Sequence, residues 1–407
     1  ADDLLKYAGV YKNDQNRKVV IALAEMNGFM LSYADLGSEE LKFLMRQDDT
    51  HFFGGNTIFP QNPDLVFAFE NNFKTLVITK GTQNQTFEKE KVKEDKYTFT
   101  SNNFRLAGTL SVPQNVKKKL TTVILVHGSG AATRYQMDMF RQILLSNGVA
   151  VFAFDKRGNG ESEGEKTQDG KQAKDLSIEE FAEDVSQAFE MLKQNPKVNP
   201  KKIGILGSSQ GGMVAWVVAN KVKDLAFIVN ISGNTLPVYE QDLYERTKNL
   251  ESKNYKPEDL EESIAFEKTA IDAVRGEIPF DEFKKLNEAS KNKIWYQEVR
   301  SWVDERHLNS AWATQLKHNP YNYIKTCRVP VLYCVGDLDA MQDGQKCAEI
   351  AERGLLEAKN PDYLVKLFPK GHHAMILGMK GGTNELMQCK QFVNGFIPTL
   401  LFWVQNR

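Results

Sequence analysis

The sequence predicts an α/β protein: a doubly wound, mostly parallel sheet with an inserted helical cap, preceded by a small N-terminal antiparallel β domain. Three observations carry that expectation. From residue 120 onward, apolar β-rich runs alternate with amphipathic helical patterns, the order expected of a parallel sheet covered by helices on both faces. Before residue 90, short strand patterns follow one another with only turn residues between them. Between residues 234 and 319 the alternation breaks into a charged, helical stretch rich in Glu, Lys, Trp and Tyr. The expected units are residues 1–90 for the β domain, 96–233 with 320–407 for the α/β domain, and 234–319 for the cap.

In the first unit Val19–Leu23 runs into Met26-Asn27-Gly28-Phe29 and then Met30–Tyr33. Asn-Gly between apolar strands signals a hairpin, because both residues tolerate positive φ. Further strands are expected at Leu41–Met45, His51–Phe53, Leu65–Phe69 and Thr75–Ile78, with turns at Gly54-Gly55-Asn56 and Asn71-Asn72. A small sandwich or barrel fits, and nothing in it resembles a catalytic cluster. Phe87–Lys96, dense in Glu and Lys, reads as a solvated linker. Tyr97–Thr100 and Leu106–Leu110 then read as a hairpin opening the second unit.

That unit offers strands at Thr121–Val126, Val149–Phe154, Ile203–Leu206, Leu225–Ile231, Val329–Val335 and Tyr363–Phe368. Few polar residues alternate within them, as expected of strands covered on both faces. Helices are expected at Tyr135–Ser146, Ser177–Gln194, Gly211–Lys221, Gln345–Leu356 and Asn384–Val404. Within Ser177–Gln194 the residues Ile178, Phe181, Val185, Ala188 and Leu192 form one apolar stripe.

Composition narrows the function. Of 407 residues, 41% are hydrophobic and 26% charged, which excludes disorder as the dominant state. The net charge of -1 leaves no basic field to hold nucleic acid. No apolar run approaches the roughly 20 residues that span a bilayer. The chain opens Ala1-Asp2-Asp3, which fits a mature end left by signal cleavage or a trimmed one, and export to the periplasm or medium is the expectation. The four cysteines, Cys327, Cys334, Cys347 and Cys389, contain no CxxC, so a zinc site is not supported. Cys334 reads as a small buried hydrophobe; a disulfide among the others is left open.

The strongest motif is Gly207-Ser208-Ser209-Gln210-Gly211, a G-x-S-x-G between an apolar strand and a helical pattern. Such an elbow presents a serine hydroxyl at a sharp turn where a helix begins. A serine needs a base, and the base needs an orienting acid; on this fold they follow in the order serine, acid, histidine. After Val331–Val335 comes Gly336-Asp337-Leu338-Asp339, where Asp339 is preferred over Asp337 and Asp343. After the next strand come His372 and His373, and the residues alone leave both open. Of six histidines, His51, His307 and His318 fall outside the sheet, and His127 belongs to Val126-His127-Gly128-Ser129-Gly130. That loop follows an earlier strand, so the N–H of Ser129 is the candidate partner of the Gln210 N–H in an oxyanion hole. Arg134 and Tyr135 are candidates to line the substrate pocket, a surface salt bridge being the alternative for the arginine. Phe154–Ser162 reads as a structural loop closed by its glycines and Asp155.

Taken together, these residues resemble the α/β-hydrolase superfamily over about residues 96–407. The run His127–Arg134 resembles bacterial carboxylesterases of the dienelactone-hydrolase-like and acyl-peptidase-like kinds, which often carry an N-terminal β domain and a helical cap. The resemblance places the base at His373, by its spacing from Pro369. It also implies a hydrolase that uses no metal or cofactor and forms a covalent acyl-serine, acting on a small-molecule or acyl ester. It does not decide between esters, peptides and thioesters.

The leading expectation is therefore a serine carboxylesterase with Ser209, His373 and Asp339. An aminopeptidase, acyl-peptidase or thioesterase would use the same residues. A binding protein on a hydrolase fold is the reading from another class, and the intact triad argues against it. Residues 1–90 are expected either to pack on the catalytic unit and shape the pocket entrance or to bind a polymer, a cell surface or a second subunit, and a homo-oligomer is allowed. Trp295, Tyr296, Trp302 and Trp312 are open between an apolar wall for substrate and packing within the cap.

Overall fold

The computed structural model describes residues 2–25, 28–55, 63–114, 119–165, 175–380 and 390–407. After one helical turn, α1 (Asp2–Leu5), eight strands follow: β1 (Gly9–Lys12), β2 (Lys18–Glu25), β3 (Phe29–Asp35), β4 (Leu41–Arg46), β5 (His51–Gly55), β6 (Leu65–Glu70), β7 (Thr75–Lys80) and β8 (Gln83–Lys89). Each pairs antiparallel with the next, and β8 returns to β1, closing a barrel. Closure removes the sheet edges. The β2–β3 hairpin pairs Glu25 with Phe29; Met26 and Asn27 of its expected turn lie outside the described residues, as does Asn56. At the β6–β7 turn Asn71 and Asn72 take φ of 51° and 59°.

Two expectations are corrected here. Gly54 and Gly55 do not turn but continue β5, opposite Leu44 and Phe43. A methyl group at Gly54 would lie 2.5 Å from the Phe67 ring, so the missing side chain makes room for an aromatic that fills the barrel. Phe87–Lys96 is not a linker: it belongs to β8 and to β9 (Val92–Ser101), with two residues between them. Its charges lie on strands whose outer faces are exposed, while Phe87 points inward and is buried.

The second sheet also has eight strands, in the order β16-β15-β14-β13-β11-β12-β10-β9. Its members after β9 are β10 (Phe104–Pro113), β11 (Leu120–Val126), β12 (Ala150–Phe154), β13 (Val198–Ser208), β14 (Phe227–Ile231), β15 (Val331–Gly336) and β16 (Tyr363–Phe368). β9 and β10 form the expected hairpin, turning at Asn102 and Asn103 with φ of 46° and 66°. From β12 to β16 all pairs are parallel. Helices α2 (Asp138–Leu145), α3 (Ile178–Lys193), α4 (Gln210–Lys221), α10 (Gly344–Glu357) and α11 (Phe396–Gln405) connect or cover the strands. α3 starts with a capping box in which Ser177 and Glu180 satisfy each other's backbone N–H. The last helix begins later than expected: 390–395 make isolated bridges to Glu40 and Ile376 instead, and 384–389 lie outside the described residues.

Between β14 and β15 stand α5 (Val238–Glu251), α6 (Pro257–Arg275), α7 (Phe280–Ser290), α8 (Ala311–Leu316) and α9 (Tyr321–Ile324). They pack around Phe266, Phe283 and Trp295, with Phe266 and Trp295 5.5 Å apart. Trp295 is therefore core, while Trp302 is exposed and rests against Trp312 and His307. Glu267, fully buried, is held by Arg246 at 3.0 Å and Arg300 at 2.9 Å.

The barrel packs on the second sheet's flank. β2 is buried on both faces: Val19, Ile21 and Leu23 fill the barrel, while Val20 joins Ile143, Leu144, Phe396 and Leu400 outside it. The Glu39 carboxylate accepts the N–H groups of Gly395 (2.6 Å) and Ile397 (2.8 Å), capping α11 from the barrel. Among the described residues no helix is long and apolar enough to cross a membrane.

Candidate active site

β13 ends at Ser208, and α4 starts at Gln210, so Ser209 alone makes the turn. It takes φ 55° and ψ −123°, a conformation that costs a non-glycine residue about 1–3 kcal/mol. Its N–H donates to the Ile231 carbonyl at 2.9 Å, which fixes the turn to the neighbouring strand. The flanking glycines are needed for closeness. A methyl at Gly207 would lie 2.2 Å from the Gly211 carbonyl oxygen, and one at Gly211 would lie 2.0 Å from that of Val126.

Asp339 and His373 follow β15 and β16, at the same edge of the sheet. Asp339 is buried, and its Oδ2 lies 2.7 Å from His373 Nδ1. The Met341 N–H (2.9 Å) and Gln342 Nε2 (3.1 Å) donate to the same carboxylate. Asp337 is exposed, and Asp343 caps α10 by accepting the Lys346 N–H. His372 Nδ1 accepts the His373 N–H at 2.8 Å, so its ring stabilises the turn. The His373 Nε2 is buried and, among the described residues, has no hydrogen-bond partner. Burial pulls the His373 pKa down, but Asp339, with Glu245 adding, outweighs it and leaves it above the ordinary 6.5. Once Asp339 holds Nδ1–H, the free Nε2 is the side that can take a proton.

The loop after β11 lies against the serine. A methyl at Gly128 would be 3.4 Å from Ser209 Cβ and 3.8 Å from its Oγ. Gly128's own N–H is taken by Gln136 Oε1, whereas among the described residues the Ser129 N–H has no partner. The Gln210 N–H is one of the free donors of the first turn of α4. His127 donates through Nε2 to the Phe154 carbonyl at 2.9 Å and stacks on Phe181; burial lowers its pKa to about 4, so it is neutral.

Arg134 is committed to an ion-pair cluster. Its guanidinium is buried and donates to Asp155 (3.0 and 2.6 Å), Glu161 (2.8 Å) and Thr109 (3.0 Å). Asp155 also accepts the N–H groups of Arg134 and Glu161, locking the loops after β11 and β12 together. Tyr135 packs edge-on against Phe29 of the barrel, 6.2 Å between centroids. Next to them Glu25, at the end of β2, accepts from Thr133 N (3.2 Å) and Oγ1 (2.9 Å).

Some neighbours carry no motif. Gln342 braces Asp339, and Gln241 of α5 donates to the Met341 carbonyl at 2.7 Å, seating the inserted helices on the Asp339 loop. Glu245, one turn further along α5, has its pKa raised by burial and by Asp242. Position just past a strand end is the one sequence signal that could have flagged Gln342. Among the described residues no cluster of His, Cys, Asp and Glu could hold a metal. Cys327, Cys334 and Cys347 are buried and free, and burial pushes their thiols up to about 12, 12 and 11; Cys389 lies outside the described residues.

An open α/β sheet with a strained serine elbow and a histidine–carboxylate pair at its carboxyl edge is the architecture of the α/β hydrolases. Residues 121–378, more than half of the chain, match the alpha/beta hydrolase fold family, and the chain belongs to it. It is 29% identical to a thiohydrolase from Aspergillus aculeatus over 27% of this chain and 32% of that protein. It is 26% identical to a quorum-quenching protein from Acinetobacter baumannii over 32% of this chain and 41% of that one. The chain thus spans less than half the length of either relative. Solved structures that resemble it include an esterase from Pyrococcus furiosus (TM-score 0.43, 22% identity, 68% of this chain and 81% of that one). A proline iminopeptidase from Mycobacterium smegmatis is another (TM-score 0.46, 15% identity, 77% and 98%).

Proposed function

We propose that this protein is a serine hydrolase of carboxylic esters. The observation that carries the reading is the 2.7 Å Asp339–His373 pair, with its buried, unpartnered Nε2, at the sheet edge that also carries the strained Ser209. In the proposed cycle Ser209 Oγ attacks the acyl carbon and its proton passes to His373 Nε2. The oxygen that becomes negative is taken by the Ser129 and Gln210 N–H groups. As the intermediate collapses, the ester C–O bond breaks and His373 returns the proton to the leaving alcohol. Water then attacks the acyl-serine, with His373 again the base, and the carboxylic acid leaves. Asp339 orients the imidazole and stabilises its charged form.

A peptidase working on a free amino terminus is the second reading, favoured by Glu245: a half-buried acid whose charge reaches His373 could hold an ammonium. Aminoacyl p-nitroanilides separate the two.

The test uses short and medium p-nitrophenyl esters and a fluorophosphonate probe on wild type and Ser209→Ala. Stoichiometric labelling that disappears in the variant, with kcat down about 10^4–10^6-fold, is expected. Absence of labelling, or turnover that survives the substitution, overturns the nucleophile and with it the reading.

A further inference from the structure

The loop Asp155–Ser162 does more than latch two turns together. Lys156 lies two residues beyond the end of β12, and its side chain is buried. Its ammonium donates to the carbonyl oxygens of Gly128 (3.3 Å) and Gly130 (3.1 Å) and to Gln210 Oε1 (2.9 Å). The Phe181 ring lies 5.1 Å away. An ammonium has three N–H donors, and here there are three acceptors. Two of them belong to the loop that carries Ser129, and the third belongs to Gln210 itself.

This arrangement has a direction. The Gly128 carbonyl and the Ser129 N–H share one peptide plane, and in a trans peptide they point opposite ways. Drawing the Gly128 oxygen toward Lys156 therefore turns the Ser129 N–H away from the lysine. Gly128 itself rests against Ser209, so this peptide is set beside the nucleophile.

We propose that Lys156 is the positioning residue of the oxyanion site, its ammonium orienting the Gly128–Gly130 loop and Gln210 so that both N–H donors meet the developing oxyanion. This inference rests on the serine-hydrolase reading. A neutral amine keeps two N–H groups for three acceptors and loses its charge, so the arrangement loosens on deprotonation. Burial lowers the Lys156 pKa to about 8, with Asp175 opposing. Among the described residues, His127, held neutral by burial, lies close to it, and the adjacent Asp155 is committed to Arg134. The lysine is charged below about 8, so activity is held there and falls as the pH rises through that value.

The experiment is background-corrected ester hydrolysis across neutral and alkaline pH by the full chain: wild type, Lys156→Met, Lys156→Arg and Ser209→Ala. Lys156→Met is expected to lower kcat by at least about 30-fold with KM within about threefold, since the loss falls on the transition state. Lys156→Arg is expected to regain about tenfold over the methionine variant and to lack the fall near pH 8, because a guanidinium stays charged. A methionine variant with wild-type kcat overturns the proposal. So does an arginine variant that keeps the wild-type alkaline fall, and that profile decides alone where the methionine variant does not fold. Turnover surviving in Ser209→Ala defeats the hydrolase reading itself. An inactive Ser209→Ala beside an unchanged arginine profile defeats only the lysine's role.

Discussion

Of the two eight-stranded sheets, the first closes on itself and fills with rings, whereas the second stays open and ends in loops that bury charge. Inside the barrel Tyr7, Tyr11, Tyr33, Phe52, Phe67, Phe69 and Phe87 are buried and meet mostly edge to face. Two of the tyrosine hydroxyls find backbone carbonyls, Tyr7 that of Asp49 at 2.6 Å and Tyr11 that of Tyr7 at 2.7 Å. At the carboxyl edge of the open sheet, His127, Lys156, Asp339 and His373 are instead held against one another's loops. Antiparallel closure pairs every backbone group and leaves a lumen that only side chains fill. Parallel strands all end on one side, and their loops converge there with unpaired N–H groups that can meet a reacting oxygen. The barrel's contacts with the open sheet are packing contacts and a few hydrogen bonds.

The sharpest way to break that division is at the open sheet's edge. Asp339→Asn is expected to lower kcat about 10^4-fold while leaving ester KM near wild type. Because Asp339 also raises the His373 pKa, the acid limb of kcat/KM should move to lower pH in this variant, the base being active only when neutral. A variant with normal kcat would remove Asp339 from the reaction.

The second probe lies in the barrel. Phe67→Ala empties a fully buried site 5.0 Å from the Tyr33 ring and should cost about 3–5 kcal/mol of stability, read from denaturant midpoints. The turnover of each labelled active site should not change. A kcat that drops with full labelling would show that the barrel takes part in the chemistry.

The smallest expected effect is at the seam. Glu25→Ala removes the barrel's bond to Thr133, in the loop that carries Ser129. A stability loss of about 1 kcal/mol and a kcat about fivefold lower are expected. Stability lost with kcat unmoved would confine the barrel to bracing.

The Gly207 half of the G-x-S-x-G answers a local need, its contact with Gly211 arising where a strand turns straight into a helix, whereas Gly211 packs against the Val126 carbonyl of the neighbouring strand. The β9–β10 hairpin was similarly local, resting on two asparagines that accept positive φ. The charged run Phe87–Lys96 misled, since strands that expose one face carry the same alternating charges as a linker. Arg134 misled for a related reason. A guanidinium near an active-site loop looks the same in sequence whether it faces a ligand or a buried Asp155 twenty-one residues away.

What the sequence determined by itself was the alternation that makes an α/β sheet, the serine at its elbow, and the chain order of acid and histidine behind it. The first two follow from periodicity and from steric limits within a few residues, and the third is what the resemblance to the α/β hydrolases implies. The tertiary structure alone decided that Asp339 and not Asp337 meets a histidine, that the barrel closes against the catalytic sheet, and that Lys156 joins the Gly128 loop to Gln210. Those outcomes depend on which strand ends lie side by side, and adjacency in a sheet ordered β15, β14, β13, β11, β12 is a property of the packed core rather than of any local run of residues.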